Sequence, residues 1–162
     1  MTRILLTSCS LLSLVLILTC QSAPDYSDTP IISFEAFSKS SMNQGSLNND
    51  SVILTITFAD GDGDVGSSDN ERNLFLTDSR TGEVYDRFRT PFIPEEGTGN
   101  GISGTIRINL FNTCCIFPDN IPPCESPDLF PTNELSFDIY LMDRAGNKSN
   151  TITTEPITLL CN

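Results

Sequence analysis

Val52-Ile53-Leu54-Thr55-Ile56-Thr57-Phe58 decides the fold class. Val52, Leu54, Ile56 and Phe58 alternate with Ile53, Thr55 and Thr57, a period of two where a helix would show 3.6. Such a segment is a half-buried strand with one face turned inward. The same alternation sets Ile102, Gly104, Ile106, Ile108 and Leu110 against Ser103, Thr105, Arg107 and Asn109. It returns in Leu135, Phe137, Ile139 and Leu141 against Ser136, Asp138 and Tyr140. Weaker strands are expected over Ile31–Phe37, Asn73–Thr77, Glu83–Phe88 and Thr151–Leu160. Pro156 in the last removes a ladder donor and marks an edge or a bulge.

Turn chemistry separates these segments at Asp78-Ser-Arg-Thr-Gly82, Glu95-Glu-Gly-Thr-Gly-Asn-Gly101 and Asp143-Arg-Ala-Gly-Asn147. No helical stripe follows residue 20. The expectation is therefore all-β: a single immunoglobulin-like antiparallel β-sandwich of about seven strands over residues 31–162. The stretch Phe137-Asp-Ile-Tyr-Leu-Met-Asp143-Arg-Ala-Gly146-Asn147-Lys-Ser149-Asn150 resembles the final hairpin of many bacterial immunoglobulin-like domains. Gly146 and Asn147 suit positive φ there, and Asp143 suits a carboxylate cap on the turn. That resemblance implies a fold and leaves function open.

Composition narrows the chemistry. The 162 residues carry 9 basic and 21 acidic side chains, a net charge of −12, so the basic footprint of a nucleic-acid binder is missing. There is no His, which removes the Ser-His-Asp triad, the two-His zinc helix and imidazole proton shuttles. There is no Trp to stack a sugar ring.

The first residues, MTRILLTSCSLLSLVLILTC, place Arg3 before an interrupted apolar run, short for a spanning helix of ~20 apolar residues. Ile17-Leu18-Thr19-Cys20 resembles the lipobox of bacterial lipoproteins. The resemblance implies a signal peptide over residues 1–19, cleavage before Cys20, and acyl chains such as palmitate on that cysteine. Two or three chains hold a protein firmly to a bilayer, and the acidic surface would not assist them. Residues 20–30 then form a tether, polar and containing Pro24 and Pro30. With Asp25 and Asp28 it resembles the segment behind the lipidated cysteine in Bacteroidota cell-surface lipoproteins, which implies an outer-membrane anchor. Surface-exposed and periplasm-facing placements both remain open.

Four further cysteines follow: Cys114, Cys115, Cys124 and Cys161. Outside the cytoplasm an even set implies two disulfides. A vicinal bond would strain its peptide, which leaves Cys114–Cys124 with Cys115–Cys161, or Cys115–Cys124 with Cys114–Cys161. Intervals of 0, 8 and 36 residues lack the paired knuckles of a Cys₄ zinc site.

The densest chemistry lies in Asp60-Gly-Asp62-Gly-Asp64-Val-Gly66-Ser-Ser-Asp69-Asn-Glu71. Asp at positions 1, 3 and 5 and Glu at 12 match calcium-loop spacing, because alternate carboxylates in a tight turn converge on one cation. Val65 stands where that loop requires Gly, and a strand leads in where it has a helix. The expected ligand set is Asp60, Asp62, Asp64, Asp69 and Glu71, with calcium the expected ion. An acidic turn without an ion is the competing account, and a glycosidase-like carboxylate pair is the enzymatic one. Asp50-Ser51-Val52 resembles a three-residue O-glycosylation site of Bacteroidota exported proteins. Arg72, Arg80, Arg87 and Arg89 are expected to pair across strands with Asp78, Glu83 and Asp86.

The functional expectation is a non-catalytic envelope lipoprotein whose domain contacts protein or glycan. A small carboxylate-dependent hydrolase and a structural subunit of an envelope assembly are the alternatives.

Overall fold

The computed structural model describes residues 25–67, 69–94 and 101–162. The expected signal peptide over residues 1–19, Cys20 and most of the turn expected at residues 95–101 lie outside them. All regular structure among the described residues is β. The strands are β1 (Ile31–Phe37), β2 (Ser41–Asn43), β3 (Ser51–Asp60), β4 (Leu74–Asp78), β5 (Glu83–Phe88), β6 (Ile102–Phe111), β7 (Thr132–Leu135), β8 (Phe137–Leu141), β9 (Ile152–Thr153) and β10 (Ile157–Leu160).

They form three sheets, ordered β1-β3-β6, β2-β10-β7 and β5-β4-β8-β9. Every expected segment holds strand, but about seven becomes ten for two reasons. Ser41–Asn43 pairs parallel to β10 and is too short to show any alternation. The other two strands arise by splitting: Leu135–Leu141 breaks at Ser136, and Thr151–Leu160 breaks around Pro156. Both breaks belong to one bent hairpin. Its outer half pairs Asp138 with Thr153, its inner half pairs Leu135 with Ile157, and the register slips by one residue between them. At the bend the Phe137 N–H donates to Thr154 Oγ1 at 3.1 Å, and the Thr154 N–H donates to the Phe137 carbonyl at 3.0 Å. Pro156 sits where no ladder donor is needed, and the hairpin thereby serves two sheets.

The inward residues of all three sheets meet in one core. Leu54 and Ile56 of β3, Leu74 and Leu76 of β4, Leu110 of β6, Phe137, Ile139 and Leu141 of β8, and Ile157 and Leu159 of β10 are all fully buried. Gly104 in β6 leaves room for a neighbour: a Cβ there would stand 3.0 Å from the Phe58 ring. On the outer face Phe75 stacks on Tyr140 at 4.6 Å, with Arg87 over one ring and Lys148 over the other. Arg87 is thus held by an aromatic face. Arg80 chelates Asp78 at 2.6 Å in a nearly buried pair, Arg72 meets Asp86 at 3.4 Å, and Arg89 donates to Asn70.

The central pair runs Ser51↔Phe111 through Asp60↔Ile102, so these ten-residue strands, about 30 Å long, define two poles. Both disulfides lie at the Ser51 end: Cys114–Cys124 and Cys115–Cys161, the first of the two connectivities left open. Opposite directions of adjacent side chains on an extended chain let Cys115 bury its sulfur in the core while Cys114 clips a Pro-rich loop. Gln44 ties the knot, donating to the Cys161 and Glu125 carbonyls and accepting from the Cys115 N–H. Asp50 caps this end through the Ser51 and Asn43 N–H groups and Lys39, which occupies the carboxylate of the Asp50-Ser51-Val52 motif. The other pole is built from acidic turns.

Candidate metal centre

Asp60 is the last residue of β3, and the strand's alternation aims its side chain inward, leaving it 0% exposed. Its Oδ2 accepts the N–H of Asp64 at 2.8 Å and of Val65 at 3.3 Å, folding the chain back over the carboxylate. Gly63 supplies the left-handed residue of that turn at φ 74°. This places the tight position two residues before Val65. Val65 is instead a core residue, 1% exposed, which anchors the loop and explains an apolar side chain in the middle of an acidic run.

The loop is stitched to the turn after β8. Asp64 Oδ2 accepts the Ala145 N–H at 2.8 Å, and the Asp64 carbonyl accepts the Arg144 N–H. The pairing of Leu74 with Leu141, extended by the Met142 N–H to the Asn73 carbonyl, brings Asp143 beside the loop. Asp143 caps its own turn as expected, accepting the Asn147 N–H at 2.7 Å and the Asn147 side-chain amide at 2.9 Å. Gly146 carries the positive φ there, at 90°, and Asn147 does not.

Asp60, Asp62, Asp64 and Asp143 converge, each offering an oxygen within 4.8 Å of the others. Asp62 is the exposed member, and the other three are buried. Two oxygens, Asp60 Oδ1 and Asp64 Oδ1, are buried without a hydrogen-bond partner among the described residues. An unpartnered buried carboxylate oxygen is costly, and two facing one acidic cluster are costlier. Burial, then the charge of Asp62, then that of Asp64, push the Asp60 carboxyl up to about 6. Burial, followed by Asp143 and Asp62, raises that of Asp64 against the hydrogen bond from Ala145 and the charge of Arg144.

A divalent cation would ease both problems, completing the orphaned oxygens and offsetting half the charge of four ionised carboxylates. Oxygens on opposite sides of calcium stand about 4.6–5.2 Å apart, and on opposite sides of magnesium about 4.1 Å. Oxygens that all lie within 4.8 Å of one another are close enough to meet on one ion of either size.

Of the expected ligands, Asp60, Asp62 and Asp64 are in this group. Asp69 and Glu71 are exposed and line an adjoining 150 Å³ cleft with Asn73, Asp143 and Arg144, outside the converging set. Asp143 is the member that sequence spacing did not offer. Its one signal was the capped turn Asp143-Arg-Ala-Gly-Asn147, which gives no hint of a partner 79 residues upstream.

At the opposite pole the edges of β5 and β6 flank a 460 Å³ groove that also takes in Cys114 and Pro123. Val84, Phe111 and Ile116 are exposed along it, and the Tyr85 hydroxyl donates to the Phe111 carbonyl across the gap between the two sheets. No protein-family model, no curated protein and no solved structure matches this chain.

Proposed function

We propose that this chain is a lipid-anchored protein of the bacterial outer membrane whose immunoglobulin-like β-sandwich binds calcium and serves as a non-catalytic interaction module. The observation that carries the reading is the group Asp60, Asp62, Asp64 and Asp143 with its two orphaned oxygens. Four carboxylates drawn onto one point are the donor set of a hard cation. A hydrolytic pair has to confront a substrate, whereas Asp60 and Asp64 are buried beneath their own loop. Calcium here is structural: it joins the end of β3 to the turn after β8, as the two disulfides join the chain at the other pole. Those disulfides favour an extracytoplasmic compartment, in keeping with lipidation at Cys20. The groove at the disulfide pole, with its exposed apolar rim, is the surface for a protein or glycan ligand.

Isothermal titration of the mature protein with calcium tests the reading. One site is expected, with Kd in the ~10⁻⁴–10⁻³ M range of extracellular modules and weaker magnesium binding. No binding at 10 mM calcium (about ten times the weaker limit) would leave an acidic turn. Mass spectrometry of the membrane-bound protein should find acyl chains on Cys20, and an unmodified N-terminus beyond it would refute the anchor.

A further inference from the structure

The pole that bears the four aspartates is also where the tether meets the domain, and the two share atoms. The Gly61 N–H donates to the Ser27 carbonyl at 2.7 Å, so the peptide that follows ligand Asp60 holds the incoming chain. The Asn147 side-chain amide donates to Asp143 at 2.9 Å and reaches the Asp28 carbonyl at 3.4 Å. Tyr26, the residue before Ser27 and Asp28, is half-buried, and its hydroxyl donates to Ser103 Oγ at 3.4 Å. Two glycines make room for it. A Cβ on Gly61 would collide with the Tyr26 carbonyl, and one on Gly101 would stand 2.9 Å from the Tyr26 ring.

We propose that calcium latches the tether: the ion held by Asp60, Asp62, Asp64 and Asp143 fixes the Tyr26–Asp28 segment against the domain and so sets how the domain stands on its anchor. The inference rests on the calcium site proposed above. One grip on the tether belongs to the Asp60–Asp64 turn and the other to the Asp143–Asn147 turn. Without a cation the repulsion among the four carboxylates works against the Ala145 and Arg144 hydrogen bonds that stitch the two turns, and the grips on the tether open more often. With the ion bound the turns close and the grips come into register. Coupling of this kind is reciprocal, so the docked tether strengthens calcium binding by the same factor as calcium strengthens docking. The aspartate pole then faces the membrane, and the groove at the disulfide pole points away from it.

The test is cleavage of the Tyr26–Ser27 bond by chymotrypsin in the mature protein held in detergent micelles, followed by the mass of the released domain. Calcium titration on the same sample reports the site. At free calcium ten times Kd, cleavage should slow by up to about tenfold relative to EDTA, the factor set by the bound-to-free ratio. Gly61→Ala should be cut rapidly under both conditions and bind calcium more weakly by the factor of protection it has lost. Calcium binding with equal cleavage rates in calcium and EDTA would overturn the latch and leave the site standing. Wild-type protection in Gly61→Ala would overturn it too, and an absence of calcium binding would remove site and latch together.

Discussion

Replacing Asp60 with Asn should stabilise the protein without calcium, and calcium should remove much of that advantage by stabilising the wild type alone. The exchange keeps shape and removes charge. The remaining carbonyl oxygen can still accept the Asp64 and Val65 N–H groups that Oδ2 accepts now. The new amide takes the place of Oδ1, which has no partner, and turns a donor toward the neighbouring carboxylates. Without metal at pH 7.5, the wild type pays for holding this carboxylate charged. Its displacement from 3.8 to about 6 corresponds to a penalty on the order of 3 kcal/mol, so Asp60→Asn should be the more stable protein in EDTA by as much as this. In 10 mM calcium the wild type gains about 1.4–2.7 kcal/mol for Kd of 10⁻³–10⁻⁴ M, and the variant gains little. For a domain of this size that gain is about 3–10 °C in Tm. Urea unfolding and calorimetry in EDTA and in calcium would read both differences. A variant less stable than wild type in EDTA, or one with an undiminished calcium response, would refute the electrostatic reasoning.

Three other outcomes are expected. In EDTA the raised Asp60 and Asp64 carboxyls bind protons more tightly folded than unfolded, so stability should rise as pH falls from 7.5 through about 6. It should decline again below about 4 as Asp50, held low chiefly by Lys39, gives up its charge, and calcium should flatten the rise; urea midpoints across this range would show it. Cys115→Ala with Cys161→Ala opens a 46-residue separation and should cost about 4 kcal/mol, against about 3 kcal/mol for the pair separated by 10, measured by unfolding under non-reducing conditions. Arg80→Ala leaves buried Asp78 without its chelating partner and should destabilise by about 3 kcal/mol, while joint replacement of both residues by similar-sized apolar ones should recover most of it.

The sequence by itself determined whatever depends on neighbours along the chain. Alternation in Val52–Phe58 forces those residues to opposite faces, and the bounds of Glu83–Phe88 and Ile31–Phe37 come directly from local pattern and turn chemistry. Three of the four converging carboxylates were legible for the same reason, since Asp60, Asp62 and Asp64 are brought together by one turn. Tertiary structure decided the rest. Asp143 enters the site because β4 pairs with β8, a long-range contact that leaves no mark on the spacing of either segment. Glu71, at the twelfth position, falls outside because Val65 drops into the core and the left-handed turn comes early at Gly63, which ends the calcium-loop geometry before it reaches Glu71. The bend at Ser136 is invisible because alternation continues through it: Leu135 and Phe137 are both buried, in different sheets. Likewise two cysteine pairings satisfied every local constraint. Only the packing that buries Cys115 beside Cys161 chose between them.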